Sequence, residues 1–279
     1  MKRGNPHLQD GTTGVRGLIM RKRQGKKEYA TIILAAGKGT RMKSDLAKVL
    51  HPVCGRPMLD HVVAVAREIG SLKIGVIIGH QADHIQETYK DQGLTFILQK
   101  EQLGTGHAVL QARQAFSSFQ GTLIILCGDV PLLRPSTVRK MVEHHSKTHS
   151  VITVLTIRLD EPASYGRVVR GRDGRILKIV EARDATESEK DITEINTGIY
   201  CAESPFLFEA VAQIRNDNAQ GEYYLTDICE IANQKGMKVT PFLTEDSIEV
   251  MGINTFGDLE RARKVLERRI SQPLNGLDD

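Results

Sequence analysis

The sequence has no tryptophan, few aromatic residues and only four cysteines, and it lacks any apolar run of the length a membrane-spanning helix needs. That last absence excludes a helical membrane protein, and no membrane partner is expected. Cys54, Cys127, Cys201 and Cys229 are scattered without CxxC spacing, which argues against a zinc knuckle or a disulfide framework and fits a reducing cytoplasm. The absence of tryptophan excludes nothing. No apolar stretch follows the positive charges near the N-terminus, so residues 1–28 do not form a secretory signal. An organellar transit peptide and an upstream extension, with Met20 able to start the protein proper, remain as readings, and the extension is favoured.

What is present is ordinary globular composition. The 279 residues are 40% hydrophobic and 26% charged, enough for one large α/β domain or one domain with an appended lobe. The net charge of +4 invites a nucleic-acid partner, but its location argues otherwise. Residues 1–28 hold eight Lys/Arg against Asp10 and Glu28, a net +6 that leaves −2 on the rest of the chain. The basic character belongs to an extension without hydrophobic periodicity, expected to be disordered, and no nucleic-acid partner is expected.

Along residues 29–270, apolar runs alternate with segments of helical periodicity. YATIILA (Tyr29–Ala35), KIGVIIG (Lys73–Gly79), LTFIL (Leu94–Leu98), TLIIL from Thr122 and VITVLTI (Val151–Ile157) read as buried strands. Between them Pro57 is expected in the first turn of a helix that runs to Gly70, Ala82–Tyr89 forms a second, and Val109, Ala112 and Phe116 share the face of a third. This rhythm predicts a doubly wound, mostly parallel sheet. After Ile157 it changes. Short β runs flank Gly171–Gly174 as a hairpin, Glu194–Cys201 is a further strand, and together they predict a small β-containing lobe over the ligand edge. A helix from about Tyr224 to Gln234, strands at Val239–Leu243 and Ile248–Asn254, a last helix over Thr255–Ile270 and a frayed end over 271–279 complete the expectation.

Chemistry concentrates at strand ends. Leu34–Leu50, LAAGKGTRMKSDLAKVL, carries Gly37 and Gly39, which let backbone N–H groups approach a bulky anion, with Arg41 and Lys48 as cations at two reaches. A solvated strand-to-loop turn accounts for a GxG alone but not for the whole stretch. In QKEQLGTGH (Gln99–His107), a Gly-Thr-Gly at a helix start offers N–H groups and the Gln99 amide suits a base edge, although a turn and helix cap explain these residues equally well. A strand also ends at Gly128-Asp129. A lone Asp after a strand reads first as a helix cap or turn residue, but beside the glycine loop and phosphates a carboxylate calls for a cation, and Mg²⁺ takes oxygen ligands. Tyr165, Gly166, Glu181 and Asn196 suit sugar hydroxyls and an amide, although each taken alone reads first as a surface or turn residue, and Asn254 falls at an element junction where it could cap a helix or sit in a turn.

Seven ordered segments, LAAGKGTRM with Lys48, EQLGTGHA, CGDVPLL, YGR, EINTGIY, NAQGEYYLTD and GIN, resemble the uridylyltransferase domain of bacterial N-acetylglucosamine-1-phosphate uridylyltransferases, the GlmU family. The resemblance covers about residues 29–270. It implies a Rossmann-like sugar nucleotidyltransferase fold and Mg²⁺-dependent transfer of UMP from UTP to N-acetylglucosamine 1-phosphate. The implied products are UDP-N-acetylglucosamine, a cell-envelope precursor, and pyrophosphate. It further implies that Leu34, Ala35, Ala36, Gly37, Gln99, Gly104, Thr105 and Gly128 meet the nucleotide. Arg41 would hold the triphosphate and Lys48 phosphate oxygens of the acceptor or the nucleotide; Gly166, Glu181 and Asn196 would position the sugar, and Asp129 and Asn254 would ligate the metal.

The family pattern has proline where this chain has Ala47, which predicts a less constrained loop before Lys48. The chain also stops before any hexapeptide repeat, so neither the left-handed β-helix domain of the family's bifunctional members nor its acetyl transfer is expected. A nucleotidyltransferase for another sugar phosphate and a non-catalytic nucleotide-sugar binding module are the alternative readings.

Overall fold

The computed structural model describes Met1 and residues 28–271, so the expectation of a disordered extension lies almost wholly outside the described residues, as does the frayed end expected over 271–279 except for Ser271, which is helical. The chain opens with β1 (Tyr29–Ala35), a short hairpin β2 (Pro52–Val53) and β3 (Arg56–Pro57), and α1 (Met58–Glu68). It continues through β4 (Ile74–Ile78), α2 (Ala82–Tyr89), β5 (Thr95–Leu98), α3 (Thr105–Gln111), β6 (Thr122–Cys127) and α4 (Pro135–Thr148). Then follow β7 (Ile152–Arg158), β8 (Arg167–Arg170), β9 (Ile176–Val180), α5 (Glu187–Lys190), β10 (Glu194–Glu203) and α6 (Ser204–Val211). The last elements are α7 (Ile228–Gln234), β11 (Val239–Leu243) and α8 (Phe256–Ser271). Among the described residues no helix is long and apolar enough to cross a membrane.

Nine of the strands form a mostly parallel sheet in the order β11-β7-β10-β6-β1-β4-β5, with the β8–β9 hairpin joined to β10 through β8, and β2 and β3 pair apart from it. β1 pairs in parallel with both β4 and β6, β4 with β5, and β11 with β7, whereas β10 runs antiparallel to its neighbours β6 and β7. Central strands must be apolar on both faces, and β1 is. Ala30 and Ile32 join one core beneath α3, α6 and α7, while Ile33 and Ala35 join the other beneath α1, α2 and α4. The chain moves outward from β1 to β4 and β5, then returns across β1 to β6. The carboxyl ends of β1 and β6 therefore flank a topological switch point, where an open α/β sheet leaves a crevice.

Several boundaries differ from the sequence reading. Pro57 stands at the cap of α1, outside the helix, because it still pairs with Pro52 across the hairpin. α3 stops at Gln111, where bonds such as Ala112 N to Val109 O tighten the chain into turns; Phe116 nonetheless reaches the core against Gly75. The helix expected from Tyr224 begins as a 3₁₀ turn, Leu225–Asp227. Ile248–Asn254 is not a strand. The buried Glu249 accepts hydrogen bonds from the hydroxyls of Thr137 and Thr244 and from the N–H of Arg134, drawing this stretch off the sheet into a turn against α4.

Candidate active site

The loop after β1 turns on Gly39, which has φ +61° and lies against the stem of Lys48; an added Cβ would stand 2.6 Å from Lys48 Cβ. Gly37 is different, with open space where its Cβ would be. One glycine is needed for packing within the loop, while the other leaves its backbone accessible. Lys48, 14% exposed, reaches across the loop, its Nζ 2.5 Å from Asp129 Oδ2 and 2.8 Å from Asn254 Oδ1. Arg41 Nη2 donates to the same Asn254 oxygen at 2.8 Å. Four side chains from three loops thus meet at one point. Asn254 is delivered by its own anchors: its N–H donates to Asp258 Oδ2 at 3.0 Å, and the N–H of Ile253 donates to the carbonyl of Asp129 at 2.9 Å.

Beside this cluster lies a cavity of about 350 Å³. Leu34, Ala35, Ala36, Gly37, Gln99, Gly104 and Thr105 line it, together with Lys48 and Asp129. Gly128 sits behind the lining: its N–H donates to Leu34 O at 2.9 Å, and a Cβ there would press on that carbonyl at 3.0 Å. Its geometry is explained by the close approach of β1 and β6. Gln99 is 3% exposed, and its Nε2 is held by Gly104 O at 3.1 Å and His107 Nδ1 at 3.0 Å, which fixes the orientation of the amide.

The Gly-Thr-Gly segment has a structural duty. Gly104, at φ +113°, faces Tyr223 so closely that a Cβ would stand 2.6 Å from its carbonyl oxygen. Gly106 N–H donates to that oxygen at 2.7 Å, Tyr223 N–H to Leu103 O at 2.8 Å, and Leu225 N–H to Thr105 Oγ1 at 3.0 Å. The segment 222–225 is thereby laid along the start of α3, and Glu222 becomes part of the cavity wall. Gln102, Cys127 and Glu222 line the cavity without having been singled out. All three do lie within segments quoted above, Gln102 and Glu222 in polar stretches and Cys127 at the head of CGDVPLL, where a strand ends. Burial, with the Asp129 carboxylate adding to it, pushes the Cys127 thiol up to about 12, so it remains protonated.

Gly166, Glu181 and Asn196 come together on β8–β10 and the turns around them. Asn196 N–H donates to Gly166 O at 2.9 Å, and a Cβ on Gly166 would lie 3.5 Å from both Glu181 carboxylate oxygens. Asn196 Oδ1 accepts from Gly198 N–H at 2.9 Å, and Thr226 Oγ1 donates to Glu181 Oε1 at 3.2 Å. Burial raises the Glu181 carboxyl above its ordinary range, with the Asp184 and Glu222 carboxylates adding to the effect.

Among the described residues no group of three or more His, Cys, Asp or Glu could hold a metal by itself. The Asp129 carboxylate and the Asn254 amide oxygen nonetheless converge on a single cationic atom, Lys48 Nζ. Two hard oxygen donors directed at one position suit a divalent ion that keeps its other sites for water and phosphate. At Ala47, where a less constrained loop is expected, the backbone N–H donates to Gln81 Oε1 at 2.8 Å.

A family model described as "Nucleotidyl transferase" matches residues 30–251. The bifunctional protein GlmU of Geobacter metallireducens is 52% identical over 88% of this chain and 52% of its own length. The GlmU of Geobacter sulfurreducens is 53% identical over 89% of this chain and 53% of its own, and that of Shouchella clausii 46% identical over 86% and 53%. The chain thus spans about half the length of the curated relatives it matches. A crystal structure of UDP-glucose pyrophosphorylase complexed with UDP-glucose superposes with a TM-score of 0.68, covering 88% of this chain and 100% of that one at 17% identity, a likeness of fold.

Proposed function

Because the chain belongs to the nucleotidyl transferase family, we propose that it transfers UMP from UTP to N-acetylglucosamine 1-phosphate, giving UDP-N-acetylglucosamine and pyrophosphate. Identity near one half to proteins named GlmU supports the choice of substrates. The observation that carries the reading is the convergence of Lys48, Arg41, Asp129 and Asn254 beside the cavity, which Lys48 and Asp129 help to line.

The acceptor is a phosphate that is already ionised and nucleophilic, so no strong base is needed. The difficulty is to bring one polyanion against another with an acceptor oxygen in line with the α-phosphorus, opposite the departing pyrophosphate. In our reading the backbone of Leu34–Gly37, Gln99, Gly104 and Thr105 hold the uridine and its attached groups. Arg41 and Lys48 offset the charge of the phosphates, and Gly166, Glu181 and Asn196 position the sugar. Asp129 and Asn254 would hold a divalent cation, Mg²⁺ in this proposal. When bound it would neutralise phosphate charge and help to orient the two substrates. The free thiols of Cys54, Cys127, Cys201 and Cys229 fit the cytoplasm as the place of work.

The test is pyrophosphate release with Mg²⁺, each of the four nucleoside triphosphates and a panel of sugar 1-phosphates. Fastest release with UTP and N-acetylglucosamine 1-phosphate is expected. Preference for a different sugar phosphate would move the reading to another member of the same reaction class, and release with none would sink it.

A further inference from the structure

The loop that carries Lys48 is fastened by a residue distant in sequence. Ala47, immediately before Lys48, donates its backbone N–H to Gln81 Oε1 at 2.8 Å, and Gln81 Nε2 donates to the carbonyl of Asp45. One primary amide thus uses its acceptor and a donor together to span two positions of the loop. Gln81 itself has φ +54° at the cap of α2, in the left-handed region that favours glycine and asparagine. Ala47 is 2% exposed, so its N–H has little access to water as a substitute partner. Gly39 packs against the Lys48 stem on one side, and Gln81 fixes the backbone that precedes it.

We propose that Gln81 is a positioning residue for nucleotidyl transfer: its amide clamps residues 45–47, so that Lys48 Nζ is presented to the reacting phosphates in one place. The proposal rests on the reading of Lys48 as a phosphate-facing cation given above. It makes a reciprocal demand on Ala47. That residue has φ −53° and ψ 132°, a conformation proline adopts without strain, and proline has no N–H to satisfy. Ala47→Pro would preset the backbone that Gln81 now holds, and the clamp would become dispensable.

The experiment compares the full chain with Gln81→Asn, Ala47→Pro and the double variant. Asparagine tolerates the left-handed backbone but is one methylene too short to bridge both loop groups. Gln81→Asn is expected to lower kcat about tenfold or more, with KM for UTP within about twofold, because the slackened loop misplaces a charge during reaction more than it weakens binding. The double variant is expected to return to the kcat of Ala47→Pro alone. Amide hydrogen exchange over residues 44–50, measured without substrate or metal, is expected to be faster in Gln81→Asn and to be restored in the double variant. Wild-type kcat in Gln81→Asn, or a double variant no better than the single one, would overturn the proposal. If the wild-type protein releases no pyrophosphate, the functional reading fails by itself. The exchange measurement still decides the clamp, which unchanged exchange in Gln81→Asn would refute.

Discussion

Lys48 stands between the carboxylate of Asp129 and the amide oxygen of Asn254, and Arg41 shares the second of these. Removing either oxygen therefore disturbs the placement of the lysine as well as any cation held there. Asp129→Asn keeps the shape and deletes the charge, and Asn254→Ala deletes the shared acceptor. Each is expected to lower metal-dependent turnover by about a hundredfold, roughly 3 kcal/mol, in line with the loss of one preorganised charge-stabilising group. Melting temperatures are measured alongside, because Lys48 and Asp129 are mostly buried and removing one partner of such a pair also costs stability. Rates of pyrophosphate release across a metal titration measure the effect, and unchanged rates in both variants would refute the assignment. At this scale the sequence was uneven. Arg41, Lys48 and Asp129 could be found because glycines and strand ends mark them. Asn254 could be placed beside Lys48 only through resemblance, because 206 residues separate the two. Gln81 left no trace, since a side-chain bond between two loops has no periodicity to read.

The Gly-Thr-Gly turn is the element on which the nucleotide cavity depends. Gly104 has φ +113° and meets the backbone of Tyr223 at 2.6 Å from a would-be Cβ, so Gly104→Ala must push the segment 222–225 away from α3. The wall that includes Glu222 would move with it. We expect KM for the nucleotide to rise about tenfold and stability to fall by roughly 1–3 kcal/mol, the usual cost of overpacking. For a domain of this size that is a fall in melting temperature of roughly 2–12 °C. Steady-state kinetics and a thermal scan measure both; a wild-type KM would show that the segment does not shape the site. The strands of this layer were legible because buried parallel strands appear as unbroken apolar runs, as in β1 and β4. Ile248–Asn254 has the same apolar look but pairs with no strand among the described residues, and the demand of Glu249 for three donors decided its shape. Nor could the reversed direction of β10 be read, because its apolar pattern is the same whichever way the strand runs.

For the molecule as a whole, the sheet places its crevice where β1 and β6 end, and the loops following those strands carry Lys48 and Asp129. The α8 region closes the arrangement, bringing Asn254 from the far end of the described chain. The central claim is that this site breaks the bond between the α- and β-phosphates of UTP and passes the α-phosphorus to a sugar phosphate. The direct measurement follows label from UTP carrying it either on the α-phosphate or on the γ-phosphate, with N-acetylglucosamine 1-phosphate and Mg²⁺. The account predicts α-label in UDP-N-acetylglucosamine and γ-label in pyrophosphate in equal amounts, with neither formed when the metal is chelated. α-Label left in UTP, or released as UMP without entering the nucleotide sugar, would contradict it.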